Sequence, residues 1–141
     1  MPERRRTVAL VTGASSGLGN ACATLLAKRG YAVYGTSRDP GARERRADEF
    51  FELIRLESSD DDSVSTAVGY VLAKEGRIDA LVCCAGMGVA GPVEETPVVE
   101  AAAQMDINFM GVVRVVRAAL PSLRASDGRL VVVGSLAASS M

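Results

Sequence analysis

The chain has 141 residues, enough for one domain, and its 48% hydrophobic and 23% charged residues are typical of a folded globular protein. A net charge of −1 argues against a nucleic-acid partner held through phosphate contacts. Histidine is absent and the three cysteines lack zinc spacing, which excludes histidine-based catalysis within these residues and predicts no metal site.

The first half of the chain predicts three strands and two helices. Residues 7–12 are continuously apolar, as in a parallel strand covered on both faces. The helix that follows is expected to end at Gly30. Its predicted buried face consists of Leu18, Cys22, Leu25 and Leu26. The next predicted elements are a strand at 32–37, an arginine-rich helix at 42–49 and a strand at 53–56.

The second half continues the alternation of helix and strand. A helix capped by Asp60 or Asp61 is expected to end at Gly76. The next predicted elements are a strand at 79–84, a glycine-rich loop to Pro97, a long helix at 98–123 and a strand at 130–133. Any break in the long helix is expected near Pro121. This alternation predicts an α/β fold of Rossmann type: one domain over residues 1–141, with a doubly wound parallel sheet of order 3-2-1-4-5 that stops after its fifth strand.

A glycine-rich motif, Thr12-Gly13-Ala14-Ser15-Ser16-Gly17-Leu18-Gly19, lies where the first strand meets the first helix. Glycines there allow a tight turn, close approach of the backbone to a pyrophosphate, and close packing of helix on strand. The free N–H groups and the dipole of the helix start favour an anion. We therefore expect a dinucleotide to bind Gly13, Ser15, Ser16, Gly17, Leu18 and Gly19. The alternative is a tight turn without a ligand.

This spacing resembles the Thr-Gly-x-x-x-Gly-x-Gly motif of the short-chain dehydrogenase/reductase family, in its classical branch. Almost the whole chain is similar to the N-terminal half of such an enzyme. The loop 86–95 looks like that of the hydroxysteroid dehydrogenases and carbonyl reductases. The resemblance implies an oxidoreductase that transfers a hydride between a nicotinamide and a carbonyl or secondary alcohol.

The end of the second strand predicts the choice of cofactor. Ser37 stands where NAD-binding members of the family carry an acid, and Arg38 follows it. A serine and an arginine can bind a 2′-phosphate, so we expect NADP(H). The alternative is that Asp39 accepts a hydrogen bond from a ribose 2′-hydroxyl, which makes NAD(H) the second choice.

Two more segments match family positions at the cofactor. Glu57 and Ser58 correspond to the segment that meets the adenine, with an acidic helix N-terminus as the alternative role for Glu57. Cys83-Cys84-Ala85-Gly86 stands in place of the family's Asn-Asn-Ala-Gly. Cys84, Ala85 and Gly86 are therefore expected beside the cofactor ribose, although both cysteines also suit simple core packing.

Two residues match catalytic positions of the family. Asn108, inside the long helix, matches the asparagine that kinks this helix and supports a proton relay. Ser135, at the end of the fifth strand, matches the serine that holds the substrate oxygen. The family's Tyr-x-x-x-Lys is not in these residues, because no tyrosine follows Tyr70 and no lysine follows Lys74. A non-catalytic NADP(H)-binding fragment or pseudo-enzyme, or a structural interaction protein, therefore stays an alternative.

The expected partners follow from the same resemblance. They are a small and apolar carbonyl or alcohol substrate, and a second copy of the chain in a homodimer or homotetramer built through helix 98–123. The longest uncharged stretch, 80–93, is too short and too rich in glycine to span a membrane, and no targeting segment is visible. We expect a cytoplasmic protein without a membrane partner.

Overall fold

The computed structural model describes residues 5–42 and 44–135. Its five strands are β1 (Val8–Thr12), β2 (Ala32–Ser37), β3 (Glu52–Arg55), β4 (Ala80–Cys83) and β5 (Arg129–Val132). All neighbouring pairs are parallel, and the sheet order is β3-β2-β1-β4-β5. The predicted fold class and strand order are confirmed.

The helices are α1 (Gly17–Lys28), α2 (Asp61–Glu75), α3 (Val98–Met105) and α4 (Gly111–Ala125), with a short 3-10 turn at Val93–Glu95 and a π-helical turn at Asp106–Met110. Local chemistry sets the ends of the first two. Gly30, just beyond α1, has φ +91°, and Gly76 ends α2 with φ +72°. Asp60, rather than Asp61, caps α2, because its side chain accepts hydrogen bonds from the amides of Asp62 and Ser63.

The core has two layers, one on each face of the sheet. β1 is buried along its whole length and alternates between the layers. Val8 and Leu10 pack against α2 and α4, whereas Ala9 and Val11 belong to the layer that includes Ala23 of α1. This double coverage explains the continuous apolar character of β1. By contrast, all four residues of β5 are exposed.

The predicted buried face of the first helix is partly wrong. Leu18 and Leu25 are 58% and 50% exposed, while Cys22 and Leu26 pack on the core as expected. The buried residues of α1 are Gly19, Asn20 and Ala23. The cause is the close approach of Gly19 to the backbone of Gly13, which turns this side of the helix to the sheet.

The predicted helix at 42–49 is also wrong. Residues 44–49 form an irregular segment with one turn, and Arg43 lies outside the described residues. The guanidinium of Arg45 donates to the carbonyl of Glu49 at 2.9 Å, and the buried side chain of Glu49 accepts a hydrogen bond from Asn20 at 2.8 Å. These contacts outweigh the helical propensity of the segment.

The long predicted helix is interrupted, but not at Pro121. That proline lies inside α4, and the interruption is the π-helical turn at Asp106–Met110. Turns of this type are frequent at functional sites. In residues 5–42 and 44–135, no helix is long and apolar enough to cross a membrane.

Candidate functional site

A cleft of about 720 Å³ lies at the carboxyl ends of the central strands. Ligands of open parallel sheets bind at this edge, next to the point where the strand order reverses. The cleft is lined by Gly13, Ser15, Ser16, Leu18, Gly19, Thr36, Ser37, Arg38, Asp39, Ala42, Leu56, Glu57, Ser58, Cys84, Ala85, Gly86, Met87 and Ile107. Twelve of the thirteen residues predicted to bind cofactor are in this set; the exception, Gly17, belongs to the same loop.

The glycine loop forms one wall of the cleft, and its glycines are required sterically. Gly13 has φ +65°, and a Cβ atom on it would lie 2.8 Å from the backbone of Ala85. A Cβ atom on Gly19 would lie 2.7 Å from the carbonyl carbon of Gly13 and closer still to its oxygen. Gly17 has φ +57° with open space around it, so its requirement is conformational.

Thr12 joins this wall to the loop after β4. Its hydroxyl oxygen accepts hydrogen bonds from the amides of Cys84 at 3.1 Å and Ala85 at 3.2 Å. Thr12 is 2% exposed, so these bonds are shielded from water. This linking role could not be predicted from the sequence, because the partners of Thr12 are more than 70 residues away.

The wall that follows β2 carries the residues predicted to select the cofactor. The Ser37 hydroxyl accepts a hydrogen bond from the Asp39 amide at 3.3 Å, and the Arg38 carbonyl accepts one from Arg55 at 3.3 Å. The Asp39 carboxylate accepts one from the Gly41 amide at 3.2 Å. The backbone of Arg38 is therefore tied to β3, while Asp39 stabilises its own turn.

Glu57 and Ser58 follow β3. The Glu57 carboxylate accepts a hydrogen bond from the Ser59 hydroxyl at 3.0 Å, and it lies before the Asp60 cap of α2. Ser58 is 7% exposed, and a Cβ atom on Gly111 would lie 2.8 Å from its side chain. The start of α4 therefore packs directly on this part of the cleft.

The two adjacent cysteines face opposite layers of the core. Cys83 is 3% exposed and packs with α2 and α4, whereas Cys84 packs on the α1 side and lines the cleft. Burial raises the pKa of each thiol to about 11, and for Cys84 the neighbouring Cys22 adds to the effect. Both side chains are therefore neutral near pH 7, which suits packing better than nucleophilic chemistry.

Asn108 lies in the π-helical turn and holds the loop after β4. Its side-chain oxygen accepts from the Met87 amide at 2.8 Å, and its side-chain nitrogen donates to the Met87 carbonyl at 2.7 Å. A side chain on Gly86 would approach Asn108, since a Cβ atom there would lie 3.1 Å from its oxygen. Gln104 adds a third bond, accepting from the Val89 amide at 2.6 Å.

Arg114 does not line the cleft but contacts the segments that do, and no motif in the sequence pointed to it. Its guanidinium bonds the Asp106 carboxylate at 2.8 Å, the Ser58 carbonyl at 3.0 Å and the Asp61 carboxylate at 3.1 Å. It thereby connects the π-helical turn to the segment before α2. The only sequence signal was an arginine on a largely apolar helix.

Ser135 is exposed and is not among the residues that line the cleft. The Val133 amide, next to the end of β5, donates to the Cys83 carbonyl at 3.0 Å, two residues before Ser135. The catalytic roles of Ser135 and Asn108 stay predictions. Within the described part of the chain, no group of three or more histidine, cysteine, aspartate or glutamate residues could hold a metal ion.

The sheet order and the cleft at its carboxyl edge define a Rossmann-type α/β protein. The short chain dehydrogenase family matches residues 7–141, and the chain belongs to this family of oxidoreductases that use nicotinamide cofactors. The resemblance inferred from the motifs is confirmed.

Individual relatives agree with this assignment. The chain is 36% identical over 130 residues to 3-ketodihydrosphingosine reductase of Bacteroides thetaiotaomicron, a match that covers 92% of this chain and 47% of the relative. It is 38% identical over 144 residues to human 17-beta-hydroxysteroid dehydrogenase type 1, a match that covers 93% of this chain and 43% of the relative. The chain thus spans less than half the length of either relative.

Among solved structures, the alcohol dehydrogenase of the archaeon Thermococcus sibiricus, complexed with 5-hydroxy-NADP, superposes with a TM-score of 0.80 at 30% identity. The match covers 90% of this chain and 57% of that one.

Proposed function

We propose that the chain forms the cofactor-binding part of an NADP(H)-dependent oxidoreductase that transfers a hydride between the nicotinamide and a carbonyl or secondary alcohol. The observation that carries the proposal is the cleft itself. It brings the glycine loop, Ser37 and Arg38, and the segment 84–86 together around about 720 Å³. Backbone crowding at Gly13 and Gly19 holds this loop tightly between α1 and the segment after β4, and the free N–H groups at the start of α1 favour a phosphate.

The preference for NADP(H) rests on Arg38 and Asp39, which both line the cleft. The backbone of Arg38 is held in place by Arg55, and a guanidinium can bind a phosphate through two parallel hydrogen bonds. The Asp39 carboxylate accepts a hydrogen bond from the Gly41 amide through one oxygen and so takes part in its own turn. The structural relative bound to 5-hydroxy-NADP agrees with this preference.

The cofactor, when bound, supplies or accepts the hydride. In this proposal the chain contributes binding and orientation. Main-chain N–H groups at the start of α1 bind the pyrophosphate, and Glu57 and Ser58 flank the adenine. Asn108 holds the loop after β4 against the cofactor ribose and supports the proton relay, and Ser135 holds the substrate oxygen.

The substrate class and the assembly are proposed on further grounds. Two relatives are named for a keto-sphingosine and for hydroxysteroids, which favours a carbonyl or secondary alcohol on an apolar skeleton. For assembly, Val98, Val99, Met105 and Phe109 are all more than half exposed. Such a run of apolar side chains suits a second copy packing on 98–123 as a homodimer or homotetramer. A cytoplasmic location agrees with the three free cysteines.

A second candidate, an NADP(H)-binding protein without turnover, is favoured by one observation. Cys83 and Cys84 replace the two asparagines of the family motif with neutral thiols. Both candidates bind NADP(H), and only the first turns over a substrate.

The first experiment is a titration of the chain with NADPH and with NADH, followed by cofactor fluorescence. We expect saturable binding of both and tighter binding of NADPH. Absence of binding to either cofactor would refute both candidates, and tighter binding of NADH would refute the assignment of Ser37 and Arg38.

A further inference from the structure

A buried carboxylate lies beneath the glycine loop. Glu49 is only 4% exposed, and its neighbour Asn20, in the first turn of α1, is 7% exposed. The Asn20 amide nitrogen donates to the Glu49 carboxylate at 2.8 Å. The Arg46 amide donates to the other carboxylate oxygen at 3.4 Å. A buried charge is costly without such partners, so the segment 45–49 folds around this side chain.

The same amide nitrogen of Asn20 reaches the glycine loop. An asparagine amide has two N–H donors, and a second contact runs from this nitrogen to the Ala14 carbonyl at 3.1 Å. On its other side, the Ala14 amide donates to the Thr36 carbonyl at 2.8 Å. Hydrogen bonds therefore run without a break from Glu49 in the segment 45–49, through Asn20, to Ala14 in the glycine loop.

This chain of bonds determines which way one peptide plane faces. The Ala14–Ser15 peptide is trans, as are all the described peptides, so its carbonyl and its N–H point in opposite directions. Because the carbonyl is held by buried Asn20, the N–H of Ser15 points away from the interior. Ser15 lines the cleft.

We propose that Glu49 is a positioning residue for the phosphate-binding loop. Through Asn20, it holds the Ala14–Ser15 peptide so that the Ser15 N–H is presented to the pyrophosphate of the dinucleotide. The inference rests on the proposed cofactor function and adds a residue that touches neither the cleft nor the cofactor. Without these hydrogen bonds the Ala14–Ser15 peptide is free to rotate. Its carbonyl oxygen can then face the phosphate, and the two negative groups repel each other.

Ser37 and Arg38, which are proposed to select between NADPH and NADH, are held by hydrogen bonds that do not involve Glu49. The Leu56 amide donates to the Ser37 carbonyl at 2.9 Å, and Arg55 donates to the Arg38 carbonyl at 3.3 Å. Both anchors belong to β3 or the residue after it. Loss of Glu49 should therefore weaken the binding of NADPH and of NADH by the same factor, since both cofactors carry the pyrophosphate.

The test is titration of the full chain with NADPH and NADH in the Glu49→Ala and Glu49→Gln variants. In Glu49→Ala we expect both dissociation constants to rise about tenfold, as for loss of a buried hydrogen-bond partner, with their ratio unchanged. Glu49→Gln keeps an acceptor for Asn20 and should restore both constants to within about threefold of wild type. Val71→Ala, a buried change in α2 at a residue that does not line the cleft, controls for lost stability and should bind like wild type.

If the Glu49→Ala variant does not fold, the Asn20→Ala variant provides the test. It removes the hydrogen bonds of Asn20 to Glu49 and to Ala14, and alanine has a high helix propensity at this position in α1. It should show the same tenfold pattern. Unchanged constants in the folded variant would overturn the inference while leaving the proposed function intact. A changed ratio would also overturn it, since Glu49 would then act on the wall that carries Arg38. A wild-type chain that binds neither cofactor would refute the proposed function and the inference together.

Discussion

Substitution of Gly19 by alanine gives the sharpest test of the packing beneath the cleft. A Cβ atom at this position would lie 2.7 Å from the carbonyl carbon of Gly13, closer still to its oxygen, and 3.1 Å from the carbonyl oxygen of Thr12. All three are backbone atoms, so no side chain can rotate to make room. The added methyl must push α1 away from the end of β1.

The expected cost follows from two opposing effects. Overpacking of a tight site costs about 1–3 kcal/mol, and contacts this short with backbone fall at the upper end of that range. Alanine in place of glycine in a helix returns up to about 1 kcal/mol. We therefore expect Gly19→Ala to lower the free energy of unfolding by about 2 kcal/mol.

Gly69 provides a matched control. It lies in α2 as an ordinary helical glycine, and a Cβ atom added to it would meet no other atom within 4 Å. Gly69→Ala should raise the free energy of unfolding by about 0.5–1 kcal/mol. Urea denaturation followed by circular dichroism measures both changes. A Gly19→Ala variant as stable as wild type, beside a stabilised Gly69→Ala variant, would refute the close packing of α1 on the glycine loop.

Three further predictions concern other parts of the site and its support. Arg38→Asp should lower the preference for NADPH over NADH at least about tenfold, since it replaces a partner of the 2′-phosphate by a like charge, and an unmoved ratio of dissociation constants would remove Arg38 from the site. Burial alone would raise the pKa of Asp79, but hydrogen bonds from Arg77 and from the Val8 amide outweigh it and the pKa lies below its ordinary value. The ionised form therefore stabilises the fold above the unfolded-state pKa of about 4, and this contribution is lost as the pH falls from there through the lowered pKa. In the Asp79→Asn variant, the urea midpoint of unfolding should fall less steeply as the pH is lowered below about 4. The same decrease as in wild type would contradict the prediction. Asn108→Ala removes both hydrogen bonds to the loop after β4 and should speed hydrogen exchange of that loop about tenfold, whereas wild-type exchange rates would show that the loop is held by other contacts.

Much of the site could be predicted from the sequence because its chemistry is local. The glycine motif marks the junction of β1 and α1, and the need for glycine at Gly17 and Gly19 comes from the local backbone and from the packing of α1 on the loop that precedes it. The same is true of Asp60 and Gly76, which begin and end α2 through bonds to nearby amides and a left-handed backbone. Strand order also followed from alternation alone, because right-handed crossovers leave few arrangements.

The errors arose where distant residues compete with local preference. The segment 44–49 has helical composition, but the bonds that Glu49 receives from Asn20 and Arg46 hold it in another shape. Pro121 did not mark the interruption of the long helix, whereas the family resemblance gave a kink at Asn108, and the π-helical turn contains that residue. The interruption lies at this turn, where Asn108 bonds a loop about twenty residues earlier in the chain.

The sequence by itself determined the class of fold and the position of the glycine loop, since these depend on short-range patterns and on the geometry of parallel sheets, and its resemblance to the family motifs predicted the other residues that meet at the cleft. Only the tertiary structure decided which side of α1 is buried, which residues support the loop from behind, and how Arg114 ties Asp106 to Ser58. Those features depend on tertiary contacts that no local pattern specifies, and burial strengthens the hydrogen bonds among them.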